Sequence, residues 1–162
     1  MQSLRSQSPT RKPLYTAEQR VRRDATPWTL VQGILAPLQF IAFAVSLVLV
    51  LRYLAFGTGY DAATISILIK TAFLFVNMIT GAIWEKVVFG QYLLAPAFFW
   101  EDVFSFAVIA LHGRYVFGLL TGTVSPAGLM YLALAAYGTY AVNAAQFVLK
   151  LRAARLEMAV GS

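Results

Sequence analysis

Four long runs of apolar residues, separated by short polar connectors, set the pattern of this chain. The first covers about Trp28 to Tyr53, with the core IAFAVSLVLVL, and the second about Ala62 to Val87. The third covers about Ala97 to Leu120 and the fourth about Leu129 to Leu149. As helices rising 1.5 Å per residue, runs of at least ~20 residues cross a hydrocarbon core of about 30 Å. The connectors FGTGYD and TGTVSPAG carry the Gly, Pro and Ser residues that end helices. Thr26 followed by Pro27 predicts an N-cap and first turn for the first span, and Pro37 predicts a kink within it. Residues 1–27 are polar and basic. Their first dozen have too little apolar surface to order, whereas Thr16 to Asp24 predicts a short helix lying on the membrane surface. The first apolar run is too long and too far from the N-terminus for a cleaved signal peptide, so it is expected to remain as an anchor.

Within each span the polar residues recur on one helical face. Gln32, Gln39 and Ser46 are spaced by seven in the first. Lys70, Asn77, Gly81 and Trp84 share a narrow arc of the second, with Glu85 at its edge. Glu101, Ser105 and His112 fall within about 40° on the third. Tyr140, Asn143, Phe147 and Lys150 share a side of the fourth with Gln146. The plain alternative is that such stripes bond helix to helix, as Ser, Asn and Gln commonly do in membranes. Their depth adds to the picture. Gln32, Gln39, Glu85, Glu101, Asp102, Asn143 and Gln146 all fall in one third of the thickness, which predicts a polar pocket. Trp84, Phe89, Tyr92, Phe98, Phe99 and Trp100 would roof it with aromatic rings.

Composition fixes the class. With 59% apolar and 12% charged residues and a mean hydropathy of +0.68, the chain belongs with membrane proteins. The absence of cysteine excludes disulfides, thiolate metal sites and thiol nucleophiles. The net charge of +6 comes from basic residues beside apolar spans, where topology and anionic headgroups explain it better than nucleic acid does. Ten of the thirteen Lys and Arg residues fall on one side of a four-span bundle, leaving Arg52 and Arg114 on the other and Lys70 within a span. By the positive-inside rule, both termini and the central connector face the cytoplasm. The expected fold is an all-α, integral membrane four-helix bundle. A basic segment (1–27) precedes the four-span domain (28–150), and a basic cytoplasmic tail (151–162) follows it.

The costly chemistry gathers in WEKVVFGQYLLAPAFFWED, from Trp84 to Asp102. Glu85 with Lys86, and Glu101 with Asp102, bracket an aromatic connector. Ionisable groups so close to hydrocarbon need a partner or a task. The structural alternative is an ion-pair network: Glu85 with Lys86 or Lys150, and Asp102 with Arg152. His112 and Lys70 lie at similar depth, about eight residues from the other ends of their helices. His112 is suited to ligating a metal carried by a ligand, and Lys70 to holding an anionic group. A hydrogen-bonded histidine and a snorkelling lysine are the alternatives. A lone histidine without HxxxH or ExxH spacing argues against a metal held by the protein alone. No phosphate loop, GxSxG elbow or GxGxxG turn occurs.

Three blocks resemble the 3-vinyl-bacteriochlorophyllide hydratases of bacteriochlorophyll biosynthesis. They are TPWTLVQGILAPLQF (26–40), TGAIWEKVVFGQYLLAPAFFWEDVFSF (80–106) and AAYGTYAVNAAQFVLKLRAAR (135–155). The resemblance covers roughly Tyr15 to Leu156. It implies a hydro-lyase that adds water to the C3 vinyl group of a chlorophyllide or bacteriochlorophyllide, giving a 1-hydroxyethyl group. It also implies a bacterial inner membrane, cytoplasmic or intracytoplasmic, that carries photosynthesis. Such chemistry calls for no redox cofactor.

The residues suit the reaction. Hydration protonates the terminal vinyl carbon, the conjugated ring delocalises the cation, water attacks, and a base takes the water's proton. Two carboxyls in unequal surroundings divide into acid and carboxylate. Glu101 and Glu85 are the expected pair, with Asp102 supporting one of them. Gln39, Asn143 or Gln146 would hold the water. Lys86 would meet the substrate propionate, Trp100 belongs to the aromatic doorway, and His112 is the candidate axial ligand of the substrate magnesium. Two rivals remain. A non-catalytic pigment-binding or assembly subunit would return pigment unchanged, and a small transporter would carry polar residues through the whole thickness. Four helices make a thin wall around a macrocycle, which leaves room for a homo-oligomer, a lipid-facing groove or neighbouring pigment-biosynthesis enzymes.

Overall fold

The computed structural model describes residues 12–160, which form five helices and no strand. They are α1 (Ala17–Ala25), α2 (Pro27–Phe56), α3 (Tyr60–Phe89), α4 (Phe99–Thr121) and α5 (Pro126–Val160). The disorder expected of the first dozen residues lies outside the described residues, Lys12 apart. Each of the four expected spans is present, and α2 to α5 are all long and apolar enough to cross a membrane. The real helices overrun the expected ones at nearly every end. At 30 residues, α2 is about 45 Å long, well beyond the hydrocarbon thickness. Hydropathy reports only the stretch inside the bilayer, whereas helical hydrogen bonding continues until a capping residue stops it. The largest difference is in α5. It continues to Val160, through most of the stretch expected as a separate tail.

Local sequence explains the ends. Thr16 caps α1 through a capping box, its Oγ1 accepting from Gln19 N–H at 3.2 Å while Thr16 N–H donates to Gln19 Oε1 at 2.9 Å. Thr26 caps α2 and Pro27 takes its first position, as the sequence predicts. The helix passes through Pro37 unbroken. Gly90, at φ 89°, ends α3 in the left-handed conformation that a Cβ disfavours.

The spans form two antiparallel hairpins. α2 packs along α3, and α4 along α5; contacts of α2 with α5 and of α3 with α4 join the hairpins, while α1 lies against α3. The expected polar stripes face inward. Gln39, Ser46, Lys70, Glu85, Glu101, Asp102, His112 and Asn143 are all buried. Long apolar side chains such as Leu30, Ile34, Ile41 and Val48 of α2 are exposed, presenting an apolar outer surface of the kind lipid contacts.

Three apolar clusters stack along the bundle. One surrounds Val50, Ile67, Tyr115 and Met130 near the connectors 57–59 and 122–125. A small middle cluster holds Leu74, Val108 and Tyr140. The third joins Tyr15, Val88, Phe98 and Ala154 at the end where the 90–98 connector lies. Through Tyr15, the N-terminal segment is thereby fastened over that end, next to the last turns of α5.

Candidate active site

The chemistry-bearing residues meet where α3 ends, α4 begins and the lower part of α5 passes. The connector between α3 and α4 is short, and its backbone is stitched to side chains. Leu94 N–H donates to Asp102 Oδ2 at 2.6 Å, and Ala95 N–H donates to Glu85 Oε2 at 3.3 Å. Lys150 Nζ donates to Ala97 O and, at 2.7 Å, to Glu101 Oε2. Leu94 has φ 59°, the one non-glycine residue with positive φ among those described. Such a conformation costs about 1–3 kcal/mol and persists where the surroundings over-determine it. The Asp102 carboxylate on its N–H does so here.

The Glu85 and Asp102 carboxyls are neighbours, with Glu101 close to both. An ionised carboxylate can only accept, so a carboxyl–carboxyl hydrogen bond needs a proton on one member. Glu101 is different: its partner is the Lys150 ammonium. Glu85 and Asp102 are thus neighbouring carboxyls and Glu101 forms a separate ion pair, all three at most 5% exposed. The sequence reading anticipated Asp102 as support, Glu85 with Glu101 as the pair, and Lys150 only as a structural partner of Glu85. In the structure Asp102 sits directly on Glu85, and Lys150 belongs to Glu101. The ion pairs considered between Glu85 and Lys86 or Lys150, and between Asp102 and Arg152, are not formed. Lys150 did carry a signal, since it ends the polar stripe of α5 four residues beyond Gln146.

Asn143 donates its amide to Glu101 O at 2.8 Å and accepts from Ser105 Oγ at 3.2 Å, fixing the first turn of α4 against α5. Gln146 is one turn nearer the end. Its Oε1 is buried and has no hydrogen-bond partner among the described residues. Together with Glu101, Lys150, Leu149, Ala153 and Ala154, Gln146 lines an open groove of about 390 Å³. Lys12 and Leu14 of the N-terminal segment line it too, as does Glu157 of α5. Nothing in the periodicity of the spans pointed to Lys12 or Leu14.

Behind the groove stands an aromatic cluster. Phe98 is 2% exposed and lies within ring contact of Tyr15, Trp84, Phe89 and Phe147. Trp84 Nε1 donates to Thr29 Oγ1 at 2.9 Å, tying the cluster to α2. Burial raises the Tyr15 hydroxyl above its ordinary range while the Arg23 guanidinium, 4.8 Å from the ring centroid, acts the other way. Of the expected roof, Trp84, Phe89 and Phe98 are inside. Tyr92, Phe99 and Trp100 are outside, Trp100 being 65% exposed and packed edge-on against Phe99.

Other expected site residues stand apart. Lys86 is exposed, donates to Gly90 O at the end of its own helix at 2.8 Å and reaches over the Tyr92 ring. Gln39 is buried and accepts from Asn77 Nδ2. Asn77 is eight residues, or about 12 Å of helix, from Glu85. His112 is eleven residues, or about 16 Å, along α4 from Glu101. Its Nδ1 donates to Val108 O at 2.8 Å, which leaves Nε2 as the free lone pair, with Tyr137 and Lys70 as neighbours. Lys70 Nζ is 3.8 Å from the centroid of the Tyr140 ring.

A family model described as 2-vinyl bacteriochlorophyllide hydratase matches residues 15–153, nearly the whole span from Tyr15 to the end of the groove. The chain belongs to the 2-vinyl bacteriochlorophyllide hydratase family. A 2-vinyl bacteriochlorophyllide hydratase of Rhodobacter capsulatus is 70% identical over 154 residues, covering 94% of this chain and 89% of that protein. One of Cereibacter sphaeroides is 69% identical over 159 residues, covering 98% of each. No solved structure matches the chain. The hydratase family is therefore the one the three sequence blocks implied. Its name counts as 2-vinyl the substituent numbered C3 above.

Proposed function

We propose that the chain hydrates the vinyl group of a bacteriochlorophyllide precursor, giving a 1-hydroxyethyl group, as a hydro-lyase of bacteriochlorophyll biosynthesis. One observation carries the site assignment: at one end of an apolar bundle two carboxyls neighbour each other, and a third, Glu101, pairs with an ammonium and lines an open groove. The substrate is flat and apolar, and in this reading it enters the open groove beside Glu101 and Gln146.

In this reading Glu85 is the acid. It sits just before the last turn of α3, while Asp102 lies in the first turn of α4, where backbone N–H groups favour an anion. The proton of the pair is accordingly assigned to Glu85, with Asp102 holding it in place. Transfer to the terminal vinyl carbon breaks the carbon–carbon π bond, forms a C–H bond and leaves a cation on the ring-attached carbon. The macrocycle spreads that charge, and the nearby Glu101 carboxylate stabilises it. Water held by the free Gln146 Oε1 attacks the cation and forms the C–O bond, and its surplus proton passes to Glu101. Return of that proton from Glu101 to the neighbouring Glu85–Asp102 pair resets the site. His112 takes no part in these steps.

The basic residues favour a site on the cytoplasmic side. Arg20, Arg22, Arg23, Lys86, Arg152 and Arg155 share its end of the bundle, and the positive-inside rule supports a reading in which that end, with both termini, faces the cytoplasm from a bacterial photosynthetic membrane. The test uses purified protein in nanodiscs given vinyl substrate, with loss of the vinyl group followed by absorption and gain of one water by mass. Glu85→Gln and Glu101→Gln are each expected to slow turnover on the order of 100-fold or more. Pigment that binds wild-type protein and returns unchanged would instead identify a carrier subunit.

A further inference from the structure

We propose that Lys150 is the positioning residue of the reaction, holding the Glu101 carboxylate in place along the groove while tying the connector to α5. The inference rests on the role given to Glu101 above.

Lys150 stands at a junction. Its ammonium donates to Glu101 Oε2 at 2.7 Å and to Ala97 O, and lies 5.3 Å from the centroid of the Phe98 ring. It therefore touches α4, the last residues of the connector and the aromatic cluster from a single position on α5. The ion pair is sheltered: the Glu101 side chain is 7% exposed and that of Lys150 29%. Among the described residues Lys150 is the only cation paired with any of the three site acids. The remaining polar partners of the group are backbone atoms or carboxyls. Ser105 and Asn143 take up Glu101 O rather than its carboxylate.

The geometry divides the labour among the acids. The connector's N–H groups go to Asp102 and Glu85, while its Ala97 carbonyl goes to Lys150. Each member of the constellation is thus indexed to the same four residues, Leu94 to Ala97, and a displacement of α5 would be felt at Glu101 through one side chain. An ammonium fits this task because it can serve a carboxylate and a carbonyl at once, having three donors and no acceptor.

This role differs from that of a structural pin and from that of an anchor for the substrate carboxylate, since Lys150 also lines the groove. Steady-state turnover of vinyl substrate by the reconstituted full chain separates the three. Lys150→Met is expected to lower kcat roughly 10- to 100-fold with KM changed less than about threefold. Lys150→Arg, which keeps a cation within reach, is expected to recover most of kcat. The double variant Lys150→Met with Glu101→Gln is expected to be no slower than Glu101→Gln alone, because both remove the same interaction. Thermal unfolding of each variant in nanodiscs reports whether the fold survives. Wild-type kcat in Lys150→Met would overturn the proposal, as would a rise in KM with kcat spared, or multiplicative losses in the double variant. If wild-type protein fails to hydrate the substrate at all, the function assigned to the site is what fails. If wild type turns over while Glu101→Gln is unimpaired, the role given to Glu101 falls and the positioning role with it.

Discussion

Replacing Asp102 separates its hold on the connector from the proton-sharing role with Glu85 proposed for it. Asp102 Oδ2 accepts the Leu94 N–H at 2.6 Å, and Leu94 is the residue held at φ 59°. Asp102→Ala removes a charged acceptor from a sheltered donor, worth about 1.5–3 kcal/mol. It also leaves the left-handed Leu94 free to relax, and that conformation stores about 1–3 kcal/mol. The two contributions overlap, so about 2–3 kcal/mol of local stability is expected to disappear from the connector. At 1.4 kcal/mol per factor of ten, local opening becomes roughly 30- to 150-fold more frequent. Hydrogen exchange measured by mass spectrometry on peptides spanning 90–98, with the protein in nanodiscs, reads this directly. Asp102→Asn keeps an oxygen for the Leu94 N–H and offers an amide to Glu85, so protection is expected to stay within about threefold of wild type. Both variants are expected to lose turnover, since neither side chain can share a carboxyl proton. Unchanged exchange in Asp102→Ala would show that the carboxylate does not hold the connector. Full activity in Asp102→Asn would remove the carboxyl pair from the mechanism.

Phe98→Ala opens the aromatic cluster under the groove, and loss of so large a buried ring is expected to cost about 3–5 kcal/mol, read by thermal unfolding followed through Trp fluorescence. At the other end of the bundle, Ser46 Oγ lies 2.7 Å from Ser66 Oγ and 2.5 Å from the Tyr137 hydroxyl. Ser46→Ala and Tyr137→Phe are each expected to cost about 1–3 kcal/mol, and the double variant less than their sum. Folded protein carrying either change is expected to retain its kcat, since these residues stand far from the carboxyls.

Much of the fold was legible because a bilayer imposes a simple rule: the backbone must satisfy itself, so each long apolar run becomes a helix. The stripes were legible for a related reason. Gln39, Asn77, Ser105 and Asn143 have few places to put polar atoms except against one another, and the structure pairs Gln39 with Asn77 and Ser105 with Asn143. The termini of α5 were not legible, because the stretch from Leu151 to Val160 lacks both a strong apolar period and a breaker. Nor was the N-terminal wall of the groove. Leu14 and Tyr15 sit in a polar, basic segment whose composition predicts little burial, yet Tyr15 is 4% exposed between Phe89 and Phe98. Tertiary packing against an aromatic cluster supplies a surface that no local pattern announces.

The division of the carboxyls was only half legible, and the reason lies in the connector. Helical periodicity put Glu101 on the stripe and left Asp102 one residue round, so Asp102 read as an accessory. Periodicity describes the faces of a helix; it says nothing about the chain that enters the helix. Here that chain turns back through Leu94 and presents its N–H to the first turn of α4, so the residue one step off the stripe becomes the one that meets both Glu85 and the connector. Glu101, on the stripe, is left to face α5 and Lys150. Two adjacent acids thereby acquire different partners from a single reversal of the backbone, one a carboxyl and the other an ammonium. The acid–base addition of water proposed for this site needs that inequality, and in this chain a strained connector produces it.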